Sequence, residues 1–215
     1  PDPNFKAALM GFDTNADGEI QVSEALAVTD IGLNTNNVVD LTGIRSFTNL
    51  RSLICWNNRI TFIDVSGLSN LETLTCDNNL IATLNLAGCS KLNFLACSTN
   101  KLTTLDITPC DSLVRLVCEA NQLLETINGH NNKKLKDVYC GLNPNMEKLI
   151  LKDCDSISTI SFFNRNIQTI DISGSKKIQR LWDFGLVDNL FVRNCTGLTE
   201  INTGFFAGMG VGNFL

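Results

Sequence analysis

The sequence predicts an α/β solenoid closed at its start by a small helical cap, and three observations carry that prediction. Leu50–Asn70, Leu71–Lys91 and Leu92–Ser112 are consecutive copies of one 21-residue unit. Within each copy apolar residues recur at positions 1, 4, 6, 11, 14 and 16, and Asn stands at position 9. The first 27 residues ignore this template. A unit of this length cannot bury its own apolar face, so it must stack on further copies of itself. Residues 1–27 are read as the cap, 28–197 as about eight coils, and 198–215 as a partial coil or C-terminal cap.

Composition excludes several function classes. An apolar fraction of 44% with 18% charged residues describes a folded chain rather than a disordered one. No apolar run approaches the roughly 20 residues that cross a membrane. The net charge of −5, with no dense Lys/Arg run in the sequence to offset it, argues against a nucleic-acid partner. The chain begins at Pro1-Asp2-Pro3 without an initiator Met or signal peptide, as expected of a mature or trimmed chain.

The cap carries the most specific motif. Asn4 is expected to cap a short helix in which Phe5, Leu9 and Phe12 follow i, i+4, i+7 spacing. The run from Asp13 to Glu24 then matches the twelve-residue EF-hand loop. Asp13, Asn15 and Asp17 supply oxygens at positions 1, 3 and 5, and Gly18 permits the turn at 6. Glu19 offers its backbone carbonyl, Gln21 acts through water, and Glu24 closes the site with a bidentate carboxylate. A hard cation wanting six to eight oxygens fits this set, so Ca²⁺ is the expected cofactor. The exiting helix, Ser23–Val28, is short and no second loop is present to pair with it. Structural calcium in a cap is therefore expected rather than a sensor, and a solvated acidic turn without metal is the alternative.

A degenerate first unit follows from Val28, with Ile31, Leu33, Asn36, Val38 and Leu41 on the template. Later units begin at Leu113, Leu135, Ile157 and Ile178, with a partial one at Leu198. Two of them are 22 residues long, each with one extra residue, within Gln122–Ile127 and Pro144–Leu149. Regularity fades late in the chain, where Arg165 falls at the asparagine position and Asp183 at inward position 6. The Gly-rich Thr203–Leu215, with Phe205, Phe206 and Phe214, is expected to be a terminal plug or the stub of a truncated array.

The pattern L-x-x-L-x-C-x-x-N-x-L resembles the leucine-rich repeat, with Cys in place of the usual Leu at position 6. The second half, L-D-V-S-G-L or L-D-I-T-P-C, resembles bacterial internalin-like surface repeats. It also resembles related arrays in secreted proteins of gut bacteria, which often have an EF-hand-like N-terminal segment. This resemblance implies a secreted or cell-surface bacterial protein, and it implies a scaffold rather than a ligand.

In such a coil, positions 3–7 form a strand pairing in parallel with its neighbours, so positions 4 and 6 point inward and 3, 5 and 7 outward. Inward columns are Leu53, Leu74, Leu95, Leu116, Val138 and Ile160, beside Cys55, Cys76, Cys97, Cys118 and Cys140. Asn58, Asn79, Asn100, Asn121 and Asn143 are expected to form a ladder satisfying backbone groups. Triplets at positions 14–16, such as Leu105-Asp106-Ile107 and Ile170-Asp171-Ile172, suggest a second strand. Cys89, Cys110, Cys154 and Cys195 fall near position 19. Stacked cysteines about 4.8 Å apart with parallel Cβ vectors do not suit a disulfide, so free thiols packed as small apolar side chains are expected. No C-x-x-C pair suggests zinc.

What the template leaves unexplained lies on the outward positions. Trp56, Phe94, Tyr139, Phe163, Trp182 and Phe184 map there, with Arg115, Glu119, Asp137 and Arg180 among them. Exposed aromatics are costly unless covered and are enriched at binding hot spots. The reading is non-enzymatic recognition of a protein or glycan, with adhesion as one form of it, by a monomer through its concave sheet outside the cell. A structural or self-associating array covering the same rings is the alternative. An enzyme would need a polar residue such as Glu119 or Asp137 to carry turnover, and no nucleophile–base pair stands out. His130 reads as an exposed turn residue, and Asp64, Asp106 and Asp171, which share position 15, as a solvated face.

Overall fold

The computed structural model describes residues 2–33, 37–164, 167–182 and 187–202. It is a parallel-strand solenoid behind a short helical segment. Helix α1 spans Pro3–Leu9, a 3-10 turn follows at Met10–Phe12, and α2 spans Val22–Ala27. Phe5, Leu9 and Ala25 are buried from these helices, and Phe12 and Ile20 pack partly against the same core.

Asp2, and not Asn4, caps α1. Its Oδ1 accepts from the amides of Asn4 at 2.8 Å and Phe5 at 3.0 Å. Its Oδ2 accepts from the amides of Val39 at 2.7 Å and Asp40 at 3.3 Å. One carboxylate thus starts the helix and fastens it to the first coil. Asn4 instead donates its side-chain amide to the Asn37 carbonyl at 3.2 Å.

Strands alternate between two sides of the stack. On the first side lie β1 (Asp30–Gly32), β2 (Ser52–Ile54), β4 (Thr73–Thr75), β6 (Phe94–Ala96), β8 (Arg115–Val117), β10 (Asp137–Tyr139) and β12 (Thr159–Ser161), hydrogen-bonded in that order. Ile31, Leu53, Leu74, Leu95, Leu116, Val138 and Ile160 share one register. All but Ile160 are buried. Strands β14 (Arg180–Trp182) and β16 (Glu200–Asn202) pair as a further two-stranded sheet.

On the second side β3 (Phe62–Asp64) pairs with β5 (Thr83–Asn85). Strands β7 (Thr104–Asp106), β9 (Thr126–Asn128), β11 (Lys148–Ile150), β13 (Thr169–Asp171) and β15 (Asn189–Phe191) form a five-stranded sheet. Strands β3, β5, β7 and β13 occupy positions 13–15, one residue earlier than the triplets suggest, whereas β9 and β11 of the 22-residue coils start one position later and β15 one earlier. The side chain at position 15 explains the boundary. Asp64, Asp106 and Asp171 accept the amides of Ser66, Thr108 and Ser173 at 3.0, 3.0 and 2.9 Å, turning the chain out of the ladder. Each strand is also three residues long rather than five on the first side, because the asparagine at position 9 claims the next carbonyls.

That asparagine ladder runs through the core edge. Asn100 Nδ2 donates to the carbonyls of Cys76 at 3.0 Å, Cys97 at 3.1 Å and Ser98 at 3.1 Å, while its Oδ1 accepts from the amide of Ile81 at 3.0 Å. Asn58, Asn79, Asn121 and Asn143 repeat the pattern. The ladder continues at Asn164, which accepts from the Asn143 amide and donates to the Cys140 carbonyl, both at 2.8 Å. The asparagine place assigned to Arg165 is therefore filled one residue earlier. This coil lacks a residue between strand and asparagine and keeps the extra one after it, so its 21-residue length conceals two offsetting changes. Arg165, like Asn36, Asp183 and 203–215, lies outside the described residues.

All nine cysteines are free thiols. Cys55, Cys76, Cys97, Cys118 and Cys140 form one buried column, which Phe162 ends. In the other, Cys89, Cys154 and Cys195 donate Sγ–H to the carbonyls of Val65, Gly129 and Ile172 in the preceding coil. Asn132 and Ser175 replace Cys there and donate to Ile107 and Leu151 in the same way.

Candidate functional site

The outward residues divide into groups. Phe94, Arg115 and Asp137 stand side by side at one register on β6, β8 and β10. Arg115 Nη2 lies 3.1 Å from Asp137 Oδ2, and Asp137 is only 8% exposed, so this carboxylate is a buried partner of the guanidinium. Phe94, Tyr139 and Glu119 are half-buried. On β14, Arg180 lies 5.4 Å above the Trp182 ring and 3.4 Å from Glu200 on β16. Trp182 is 45% exposed and Trp56 37%. Four strand spacings of about 4.8 Å separate β2, which Trp56 follows, from β10, so Trp56 stands apart from the later aromatics. Phe184 lies outside the described residues.

The turn leaving each first-side strand needs a left-handed residue. Asn57, Asn78, Thr99 and Ala120 fill it in the early coils at φ 53–57°. Leu142 and Phe163 fill it in the coils of β10 and β12, at φ 60° and 57°. Asn tolerates this region, whereas bulky side chains are outliers there. Leu142 and Phe163 are nevertheless 61% and 65% exposed, side by side on the rim of the sheet. Gly141 lets the chains approach here, since a Cβ on it would lie 2.4 Å from the Phe162 carbonyl oxygen. Leu142 escapes sequence reasoning because position 8 carries no template signal; Leu where earlier coils hold Asn, Thr or Ala is the clue. Asp77 is also unanticipated. Burial raises its carboxyl although the Ser98 amide donates to it at 2.8 Å.

In the loop of the cap, Gly18 takes φ +86°, as the sharp turn requires. Asp13 accepts from the amides of Gly18 at 2.8 Å and Asp17 at 3.3 Å. Asn15 accepts from the Asp17 amide at 3.0 Å, and Asp17 accepts from the Glu19 amide at 3.0 Å and from Gln21 Nε2 at 2.5 Å. Glu24 is buried at the start of α2. It accepts from the Gln21 amide at 2.9 Å, the Thr14 hydroxyl at 2.8 Å and the Thr14 amide at 2.6 Å, and these bonds hold its carboxyl below the usual range. The Glu19 carboxylate pairs with Lys6 at 2.7 Å. The donor set is all oxygen and suits a hard cation. Its carboxylates are nonetheless spread along the turn: among the described residues no three His, Cys, Asp or Glu side chains gather closely enough to hold a metal ion.

The weaker candidates have ordinary roles. His130 is exposed, with Nδ1 3.3 Å from Asn128 Oδ1. Asp64, Asp106 and Asp171 hold their own turns, and Asp64 also pairs with Arg45 at 3.3 Å. Among the described residues no helix is long and apolar enough to cross a membrane.

Stacked parallel strands, leucine columns and an asparagine ladder define a leucine-rich-repeat solenoid. A family model for leucine-rich repeats, two copies, matches residues 48–88. Among solved structures the chain is similar to the functional domain of InlJ from Listeria monocytogenes, which includes a cysteine ladder. Identity is 20% and the TM-score 0.52, over 94% of this chain and 59% of that one. It is also similar to the internalin InlF of Listeria monocytogenes str. 4b F2365, with 13% identity and a TM-score of 0.51, over 97% of this chain and 96% of that one. The chain thus spans about three fifths of the InlJ domain and nearly all of InlF, and the likeness is one of fold. No curated protein matches the chain.

Proposed function

We propose that this chain is a non-catalytic recognition module that binds a protein outside the cell through the rim and open face of its first sheet. Leu142 and Phe163 carry this reading. A turn that six coils build in the same conformation is filled by tolerant residues early and by Leu and Phe late, exposed and adjacent. Strain of order 1–3 kcal/mol per such residue is kept where something other than folding needs the side chain. Arg180, Trp182 and Tyr139 supply neighbouring anchors of the types enriched at hot spots.

The test uses Leu142→Asn/Phe163→Asn and screens extracellular proteins and glycans for binding. The variant should melt at the same temperature as the parent or higher, and should bind its ligand at least about tenfold more weakly. A lowered melting temperature would mean that the two side chains support the fold. Loss of concentration-dependent association in the variant, without any ligand, would favour the self-associating array.

A second reading concerns the cap. Its motif, the Gly18 turn and the loop's hydrogen bonds support structural calcium held by Asp13, Asn15, Asp17, Glu24, the Glu19 carbonyl and, through water, Gln21. A lone site of this kind suits the weak affinities of extracellular modules. Calcium at about ten times Kd should add on the order of 1 kcal/mol of stability, seen as a higher melting temperature that chelator reverses. An unmoved melting temperature removes calcium from the cap.

A further inference from the structure

The solenoid converts sequence position into axial position, and this sorts the charge. Residues 1–128 carry seven Lys and Arg against fourteen Asp and Glu, whereas residues 129–180 carry nine against five. Five of the later lysines gather on one ridge. Lys133, Lys134 and Lys136 lie in the bend entering β10, and Lys176 and Lys177 in the bend entering β14. Those bends are two coils apart, about 10 Å at the usual strand spacing, although roughly forty residues separate them in sequence.

Hydrogen bonds hold the ridge in place. Lys133 Nζ donates to the Asp153 carbonyl at 2.8 Å and lies 3.7 Å from Asp155. Lys176 Nζ approaches the same Asp155 at 3.6 Å from the coil beyond. Lys134 Nζ donates to Ser112 Oγ at 3.3 Å. One carboxylate thus sets the spacing of two ammonium groups, and all five lysines stay exposed. The ridge lies at the opposite end of the strands from Leu142 and Phe163.

The geometry points to a binding ridge for a linear acidic polysaccharide, lying along the solenoid axis with its carboxylates or sulfates on the lysines. A protein partner would want apolar or aromatic anchors and an interface poor in Lys. Val114 is exposed beside Lys136, but among the described residues no aromatic ring is exposed in these bends. Single-stranded nucleic acid would want rings to stack its bases, and a membrane surface an amphipathic element or a broad basic patch. Two clusters of point cations, one two-coil step apart, fit a polymer whose charge recurs on alternate sugars.

The experiment measures fluorescence anisotropy of labelled chondroitin sulfate with the whole chain, at low and raised salt. Uncharged dextran, anionic vesicles and a charge-matched oligonucleotide are the other probes. Lys133→Ser/Lys134→Ser and Lys176→Ser/Lys177→Ser should each weaken chondroitin sulfate binding about tenfold and flatten its salt dependence, since fewer counterions are released. Lys101→Ser/Lys148→Ser, which removes equal charge elsewhere, should leave it unchanged, as should Leu142→Asn/Phe163→Asn. Circular dichroism melts of each variant check that the fold is intact. The proposal is overturned if chondroitin sulfate binds no better than dextran or if the control pair weakens it equally. It is equally overturned if the vesicles or the oligonucleotide bind as tightly.

Discussion

At the scale of single residues, the asparagine column decides the inner turn. Asn100 is buried, and its one amide group answers three carbonyls and one N–H from two coils. Asn100→Ala would leave the Ile81 amide dry and unpaired and take one of two donors from each carbonyl, at about 1–3 kcal/mol. Urea unfolding should show a lower midpoint with an unchanged slope. A loss below about 0.5 kcal/mol would mean that water replaces the amide. The ladder was legible in the sequence because Asn recurs at a fixed place among apolar neighbours. Asn164 was not, because one deletion and one insertion cancelled within its coil, and a ruler of total length cannot see that. The exposed pair Leu142 and Phe163 was half legible. An aromatic at an outward position is visible in the sequence, but the left-handed backbone that makes its presence costly is visible only in the fold.

At the scale of the element, the cap depends on two carboxylates. Burial raises the Asp2 carboxyl, but the amides of Val39, Phe5, Asn4 and Asp40 together bring it below its ordinary value. Glu24 is lowered by the Gln21 and Thr14 bonds. A carboxyl held below its unfolded value contributes stability that is complete above that value and is lost as pH falls through the folded one. The cap should therefore open below about pH 4, while the coils stay paired. Amides of residues 2–27 should lose protection, relative to their intrinsic exchange rates, in acid before those of β6 or β8. Asp2→Ala should produce the same local opening at neutral pH, at about 1–2 kcal/mol. Uniform exchange across chain and cap would show the two to be one cooperative unit. In the sequence, Phe5 and Leu9 mark the helix, but Asn4 stands out as its cap. Both residues are good caps, and what selects Asp2 is the pair of amides that Val39 and Asp40 bring to its second oxygen.

At the scale of the whole molecule, the two thiol columns act together although no cysteine touches a ligand. Eight cysteines are buried and one is partly so. Burial pushes the Cys89 thiol up to about 11 and those of Cys55, Cys110, Cys140 and Cys154 to about 12, with Cys76, Cys97 and Cys118 also raised. A group whose folded value exceeds its unfolded one contributes stability that is complete below the unfolded value and is lost as pH rises toward the folded one. The unfolded value is near 8.5, and each buried thiol then withdraws about 1 kcal/mol per pH unit, so eight withdraw on the order of 10 kcal/mol per unit. A domain holds about 5–15 kcal/mol in all. The solenoid should therefore unfold steeply between about pH 9 and 10.5, a transition that circular dichroism follows directly. Cys97→Ala should make it shallower by one proton's share. Persistence of the fold to about pH 11.5 would mean that the unfolded chain keeps its thiols as protonated as the folded one. The thiols' freedom from disulfides followed from the spacing in the sequence. Their joint effect does not follow from any one of them, because it comes from stacking them in a single dry core.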